Sequence, residues 1–156
     1  IFVHDDLATT ESLMMSPQLY REIIKPRHKR IFDLIKEMTR AKIIYHCDGA
    51  IYPLIGDLIE IGVDALNPVQ VSAKGVDTDT LKQEFGSRLS FWGAIDTGYV
   101  LPKGTLAEVR EEVQKRINHL KKGGGYVVAP VHNILDEVPP ENIVAMYKTA
   151  LEIGRY

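Results

Sequence analysis

Lys42-Ile43-Ile44-Tyr45-His46-Cys47-Asp48, followed at once by Gly49, holds one complete unit of the pattern that recurs along the chain. Lys42–Tyr45 has strand character, an entry lysine and then branched and aromatic residues. The strand runs straight into an imidazole, a thiol and a carboxylate, and a glycine and a helical pattern follow. That is one βα unit with its polar tip at the strand's C-terminal end, where parallel α/β folds build their sites.

Reading outward, other strands end the same way. Ile1–Val3 is a short apolar run ending in His4-Asp5-Asp6, and Leu7–Met15 reads as loop. Ser16-Pro17 predicts a helix start, with Ser as N-cap and Pro in the first turn. Leu19, Ile23, Ile24, Ile31, Leu34, Ile35 and Met38 then recur at helical spacing to about Thr39, with a kink or break expected near Lys25 because Pro26 lies inside the pattern. Ile51–Ile61 carries Leu54, Ile55, Leu58 and Ile59 on one face and stops at Gly62. Val63–Leu66 is a strand ending in Asn67-Pro68-Val69-Gln70. Asp77–Phe85 is a helix closed by Gly86, and Leu89–Trp92 a strand ending in Gly93-Ala94-Ile95-Asp96-Thr97. Gly98–Gly104 reads as loop. Thr105 and Glu108 form a capping box before the stripe Leu106, Val109, Val113, Ile117, Leu120. Tyr126–Ala129 is the last strand, tipped by Pro130-Val131-His132-Asn133, and Pro139-Pro140-Glu141 opens a final helix to about Ile153.

Five repeats of strand, polar tip and helix predict βα units and a parallel sheet. The strands lack alternation, as expected when both sheet faces are covered. No strand-to-helix turn carries G-x-G-x-x-G or a P-loop, and Gly123-Gly124-Gly125 precedes a strand, so it reads as a connection. The pattern fits a (β/α) barrel, but five units cannot close an eight-stranded one.

A formal net charge of −2 on 156 residues gives no reason to expect nucleic acid or an anionic membrane as partner. No apolar run approaches the about 18 residues of a membrane span. The single Cys47 excludes an intrachain disulfide framework and fits a reducing, cytoplasmic setting. Ile1 opens directly on strand-like residues, so the chain reads as part of something longer. A partial barrel leaves sheet edges and apolar faces unpaired, which predicts self-association.

His46 and His132 are candidate ligands or acid–base groups, each with the plainer reading of a hydrogen-bonded rim histidine. Asp48 is a candidate of the same kind that could instead cap the following helix. Cys47 reads as a small buried hydrophobe. Asp96 is either a cavity-facing acid or a turn residue. Asp5 and Asp6 are a carboxylate pair whose crowding would raise one pKa and supply an acid. Asn67 and Gln70 are candidate hydrogen-bonders to a substrate. His4, His28 and His119 read as solvated, and Phe91 and Trp92 as barrel core.

Three blocks then resemble the uroporphyrinogen decarboxylase family. The first is His46-Cys47-Asp48-Gly49 through Asn67-Pro68-Val69-Gln70. The second is Phe91-Trp92-Gly93-Ala94-Ile95-Asp96-Thr97 with Leu101-Pro102-Lys103-Gly104-Thr105. The third is Ala129-Pro130-Val131-His132-Asn133-Ile134 with Val138-Pro139-Pro140-Glu141-Asn142-Ile143. The resemblance implies an α/β fold of the (β/α)8 TIM-barrel type, with residues 1–156 supplying the last five βα units of a single domain. It implies one of two chemistries. One is cofactor-free decarboxylation of uroporphyrinogen. The other is methyl transfer between a corrinoid, carried by a partner protein, and a small acceptor, with a zinc ion.

The Asn-Pro-Val-Gln and Ile-Asp-Thr segments resemble the methyltransferase-like branch more closely. That branch places His-x-Cys at the strand tip and a second cysteine after a later strand. Here the matching positions hold His46, Asp48 and His132, with Cys47 one residue early. The expectation is that His46, Asp48 and His132 bind a metal or act as acid and base, that Asp5 and Asp96 join them, and that Asp6, Asn67 and Gln70 line the substrate.

Overall fold

Five parallel strands lie side by side in chain order: β1 (Phe2–His4), β2 (Ile44–His46), β3 (Ala65–Asn67), β4 (Ser90–Ile95) and β5 (Tyr126–Pro130). The structure is a computed structural model that describes residues 1–155. Side chains alternate between the faces of a strand, and the register aligns those faces across the sheet. His4, His46 and Asn67 are neighbours in one row, and Phe2, Ile44, Ala65 and Ser90 in the row below. The opposite face carries Tyr45, Leu66, Phe91 and Tyr126, buried beneath the helices. Only the helix-side face is sealed, so burial along β2 and β3 alternates where full cover on both sides was expected.

β1 to β4 begin one or two residues later, and all five strands end one to three residues later, than their apolar runs suggest, which brings His46 and Asn67 into the ladder. The helices are α1 (Pro17–Leu19), α2 (Lys25–Met38), α3 (Ile55–Glu60), α4 (Thr78–Phe85), α5 (Val100–Lys103), α6 (Leu106–Leu120) and α7 (Pro140–Ile153). Capping follows the sequence closely. Ser16 Oγ accepts from Leu19 N–H at 3.1 Å, Asp77 Oδ1 from Thr80 N–H at 2.8 Å, and Thr105 with Glu108 completes its box. Residues 98–104, expected as loop, contain the short helix α5.

The irregularity expected near Lys25 is present, as a π turn and not as a break into separate helices. A π turn over Tyr20–Ile24, closed by Lys25 N–H on the Tyr20 carbonyl, carries α1 into α2 and absorbs the hydrogen bond that proline cannot make. Most of the apolar stripe of α1 and α2 faces the other way, only Ile24 and Ile35 of it packing against the core. Tyr20, His28 and Phe32, eight and four residues apart, turn inward, while Leu19, Ile23, Ile31, Leu34 and Met38 are exposed, Met38 by 77%. Burying each large aromatic is worth about 1.5–3 kcal/mol, and the inward row has two of them. On α6, Val109, Val113, Ile117 and Leu120 are buried as expected, but Leu106 lies in the first turn and stays exposed.

Asp57 ties α3 to the preceding helical segment. It accepts from Arg21 Nε and Nη2 at 3.0 and 2.9 Å and from Lys25 Nζ at 2.8 Å. Burial alone would push its carboxyl up, but the two cations and their hydrogen bonds outweigh this and hold it below its usual value. A carboxyl with a lowered folded pKa stabilises fully above its unfolded value and loses that contribution as pH falls through the folded one. Stability should therefore decline below about pH 4. Asp57→Asn should cost about 2 kcal/mol at neutral pH and flatten that acid limb. Urea melts at several pH values check this, and an unchanged acid limb in the variant would refute it.

Candidate functional site

The tip of β2 is fixed from both sides. Asp48 N–H donates to Asp6 Oδ1 at 3.1 Å, Gly49 N–H to Gln70 Oε1 at 2.8 Å, and Ala50 N–H to the Thr9 carbonyl at 2.8 Å. Gly49 sits at φ +89°, and a Cβ there would lie 2.4 Å from the Thr9 oxygen. Loops from β1 and β3 thus clamp the turn that presents Asp48. Asp6 and Gln70, read as substrate-binding, make these backbone bonds.

His46 is oriented by Asn67. Its Nδ1 lies 2.6 Å from Asn67 Oδ1, while Asn67 Nδ2 donates to the Trp92 carbonyl at 3.3 Å. Because the amide nitrogen is committed to a carbonyl, the oxygen faces the ring, so His46 Nδ1 carries the proton. His46 Nε2 is then left with a free lone pair. That nitrogen is 3.4 Å from Asp48 Oδ2, and His132 Nε2 approaches the same oxygen at 3.9 Å. The three ligand atoms all lie within 4.8 Å of one another.

The donor set fits a divalent ion. Ligands around a tetrahedral Zn²⁺ at about 2.0–2.2 Å stand roughly 3.3–3.5 Å apart, so small rotations of the half-exposed His132 ring would close the triangle. Two imidazoles and a carboxylate suit zinc, and also iron or manganese, with positions left for a substrate. Cys47 takes no part. It is buried, its Sγ accepts from Leu7 N–H and donates to the Asp48 carbonyl, and burial pushes the thiol up to about 12.

The other acids lie elsewhere. Asp5 shares the parity of Val3, so its side chain turns to the helix side, where His28 Nε2 meets Oδ2 at 2.9 Å. Asp5 and Asp6 therefore have separate partners. Asp96 accepts from the N–H groups of Gly98, Tyr99 and Val100 at 3.1, 2.9 and 3.0 Å, which builds the turn into α5.

Two histidines read as solvated are not. His28 is 7% exposed and stacks on Phe32 at 5.8 Å, with Tyr20 Oη 3.4 Å from its Nδ1. His119 meets the Thr78 hydroxyl at 2.8 Å. His4 is exposed, but its ring lies 4.9 Å from that of His46. Phe2 and Trp92 meet edge to face at 5.8 Å, so the floor beside the triangle is aromatic. The shared position of His4 and His46 at the ends of neighbouring strands was the available signal for that contact.

With this geometry in place, comparison with known proteins is informative. Residues 1–153 match the family model described as uroporphyrinogen decarboxylase (URO-D). The chain is 28% identical over 144 residues to a protein named uroporphyrinogen decarboxylase from Trichodesmium erythraeum (strain IMS101), covering 90% of this chain and 38% of that one. It is 27% identical over 158 residues to a methylated-thiol--coenzyme M methyltransferase from Methanosarcina mazei, covering 100% of this chain and 39% of that one. The chain thus spans about two fifths of the length of these relatives. A solved structure titled methyltransferase from Methanosarcina mazei superposes with a TM-score of 0.78 at 21% identity, over 99% of this chain and 42% of that one. At that identity the likeness is one of fold, an α/β arrangement of the TIM-barrel type.

Proposed function

The chain belongs to the uroporphyrinogen decarboxylase family, and on that premise we propose that it serves methyl transfer between a corrinoid (methylcobamide) carrier and a small acceptor. The observation that carries this reading is the convergence of His46 Nε2, Asp48 Oδ2 and His132 Nε2 at the C-terminal ends of β2 and β5. Acid–base work without a metal does not require three ligand atoms within 4.8 Å of one another, whereas ion binding does. A divalent ion held there, with Zn²⁺ first in line, supplies Lewis-acid activation of the acceptor's thiol or hydroxyl. His46, held by Asn67, gives a neutral nitrogen of fixed direction. Asp48, held by the clamped turn, contributes the negative charge. His132 is half exposed and closes the triangle from the far strand. The aromatic floor of Phe2 and Trp92 keeps water from one side of the acceptor. The corrinoid would arrive on a separate protein.

A second reading, uroporphyrinogen decarboxylation, is favoured by the Trichodesmium relative at nearly equal identity. The deciding experiment loads the protein with one equivalent of Zn²⁺ and follows the methylcob(III)alamin spectrum on adding thiols or alcohols. Demethylation with at least one acceptor, lost on chelation, is the expected result. No demethylation with any acceptor, together with turnover of uroporphyrinogen, would replace this reading with the second.

A further inference from the structure

Two strand-tip aspartates of this chain do opposite things. Asp96, just past β4, turns its carboxylate back on its own turn and accepts from the N–H groups two, three and four residues on. Asp48, just past β2, is likewise followed by a glycine and a short helical turn, here Tyr52–Leu54. That is a setting in which an aspartate caps its own backbone. Its carboxylate does not do so. Among the described residues it accepts from no backbone N–H, and it meets His46 Nε2 at 3.4 Å and His132 Nε2 at 3.9 Å. The next three N–H groups along the chain are occupied by other acceptors. Gly49 N–H donates to Gln70 Oε1 at 2.8 Å, Ala50 N–H to the Thr9 carbonyl at 2.8 Å, and Ile51 N–H to the Gly49 carbonyl at 2.9 Å. Asp48 N–H itself is held by Asp6 Oδ1 at 3.1 Å.

We propose that Asp6 and Gln70 are positioning residues of the ion site: by holding the turn's backbone they keep Asp48 a ligand and prevent it from becoming a cap. The inference rests on the ion site proposed above. His46 is aimed through its side chain by Asn67, and His132 is half exposed with no hydrogen bond on its ring among the described residues. Asp48 is therefore the one donor aimed through its main chain. Its side chain is short, so the shape of the turn decides where its oxygens lie. Without the two side-chain acceptors, the N–H groups of Asp48 and Gly49 lose their partners and the turn relaxes. The Asp48 carboxylate then folds back onto its own turn, as that of Asp96 does, and the triangle loses its anionic donor. A ligand set tolerates only about 0.5 Å of such displacement before its geometry is lost.

The test measures the Zn²⁺ affinity of the full chain by competition against a chelator, beside urea melts of the ion-free protein. Asp6→Ala and Gln70→Ala should each weaken Zn²⁺ binding by about 10–100-fold. The ion-free urea midpoints should barely move, because the freed N–H groups regain an acceptor in Asp48. Asp6→Asn loses the charge but keeps the acceptor oxygen, and it should bind as wild type does. Wild-type affinity in both alanine variants, or an Asp6→Asn protein as weak as Asp6→Ala, would overturn the inference and leave the ion site standing. Ion-free midpoints that fall together with the affinity would assign both residues a merely structural role and likewise overturn it. A wild-type chain that binds no Zn²⁺ would overturn the inference and the ion site together.

Discussion

Gly93→Ala is expected to cost about 4 kcal/mol or more, a large part of the roughly 5–15 kcal/mol that keeps a domain folded. Gly93 sits at φ +120°, and a Cβ there would lie 1.8 Å from the Pro68 carbonyl oxygen. That oxygen cannot retreat, because it accepts from Ala94 N–H at 2.9 Å. On the other side the Gly93 carbonyl is held by the Tyr126 hydroxyl at 3.0 Å. The neighbouring Ala94 and Val69 already occupy positive φ at 72° and 58°, so the β3 and β4 tips hold little slack. Gly56→Ala is the control. A Cβ on Gly56, in α3, meets nothing within 4 Å, and the change should be neutral or stabilising by about 0.5–1 kcal/mol. Chemical denaturation of the two variants checks the contrast, and a Gly93→Ala protein as stable as wild type would refute it.

His46→Ala should abolish stoichiometric zinc binding, and Asn67→Ala should weaken it by about 10–100-fold without touching a ligand. The difference follows from what each group does. Removing His46 deletes a donor from a set of three. Removing Asn67 leaves the donor but frees the ring to rotate and the tautomer to change, since nothing else holds Nδ1. Asn67→Asp, whose carboxylate can accept the same proton, should recover most of the affinity, which a purely structural role for Asn67 would not predict. Competition against a chromophoric chelator measures all three. Equal affinities for wild type and His46→Ala would remove the triangle from consideration, and unchanged affinity in Asn67→Ala would remove the positioning role.

Much of this was legible in the residues. The βα rhythm, the caps at Ser16 and Thr105, and the inert Cys47 follow from local chemistry, which the chain cannot easily override. The site is only half legible. His46, Asp48 and His132 were singled out as strand-tip residues, and the structure brings them together. Asp5 was read as part of the rim, although its parity with Val3 already assigns it to the helix side. Asp96 precedes Gly98 and a short helix, a pattern that invites a carboxylate to bind backbone N–H groups. The α1–α2 segment misleads for a different reason. It bears two apolar rows, and the one that turns inward includes His28, which hydropathy counts as polar but which stacking on Phe32 makes a core residue. Which row wins depends on the sheet beneath, and that is not a local property.

The clamped β2 tip has a thermodynamic consequence. His46 and Asp48 stand on one side of the ligand triangle and His132 follows the last strand, so an ion joining them closes a loop containing most of the chain. In the unfolded chain those ligands are far apart and hold an ion poorly. Binding is therefore linked to formation of the whole sheet, and each tenfold rise in free ion above its dissociation constant should add about 1.4 kcal/mol to global stability. The ion would act as a reversible staple between β2 and β5, and the melting temperature would report on its concentration.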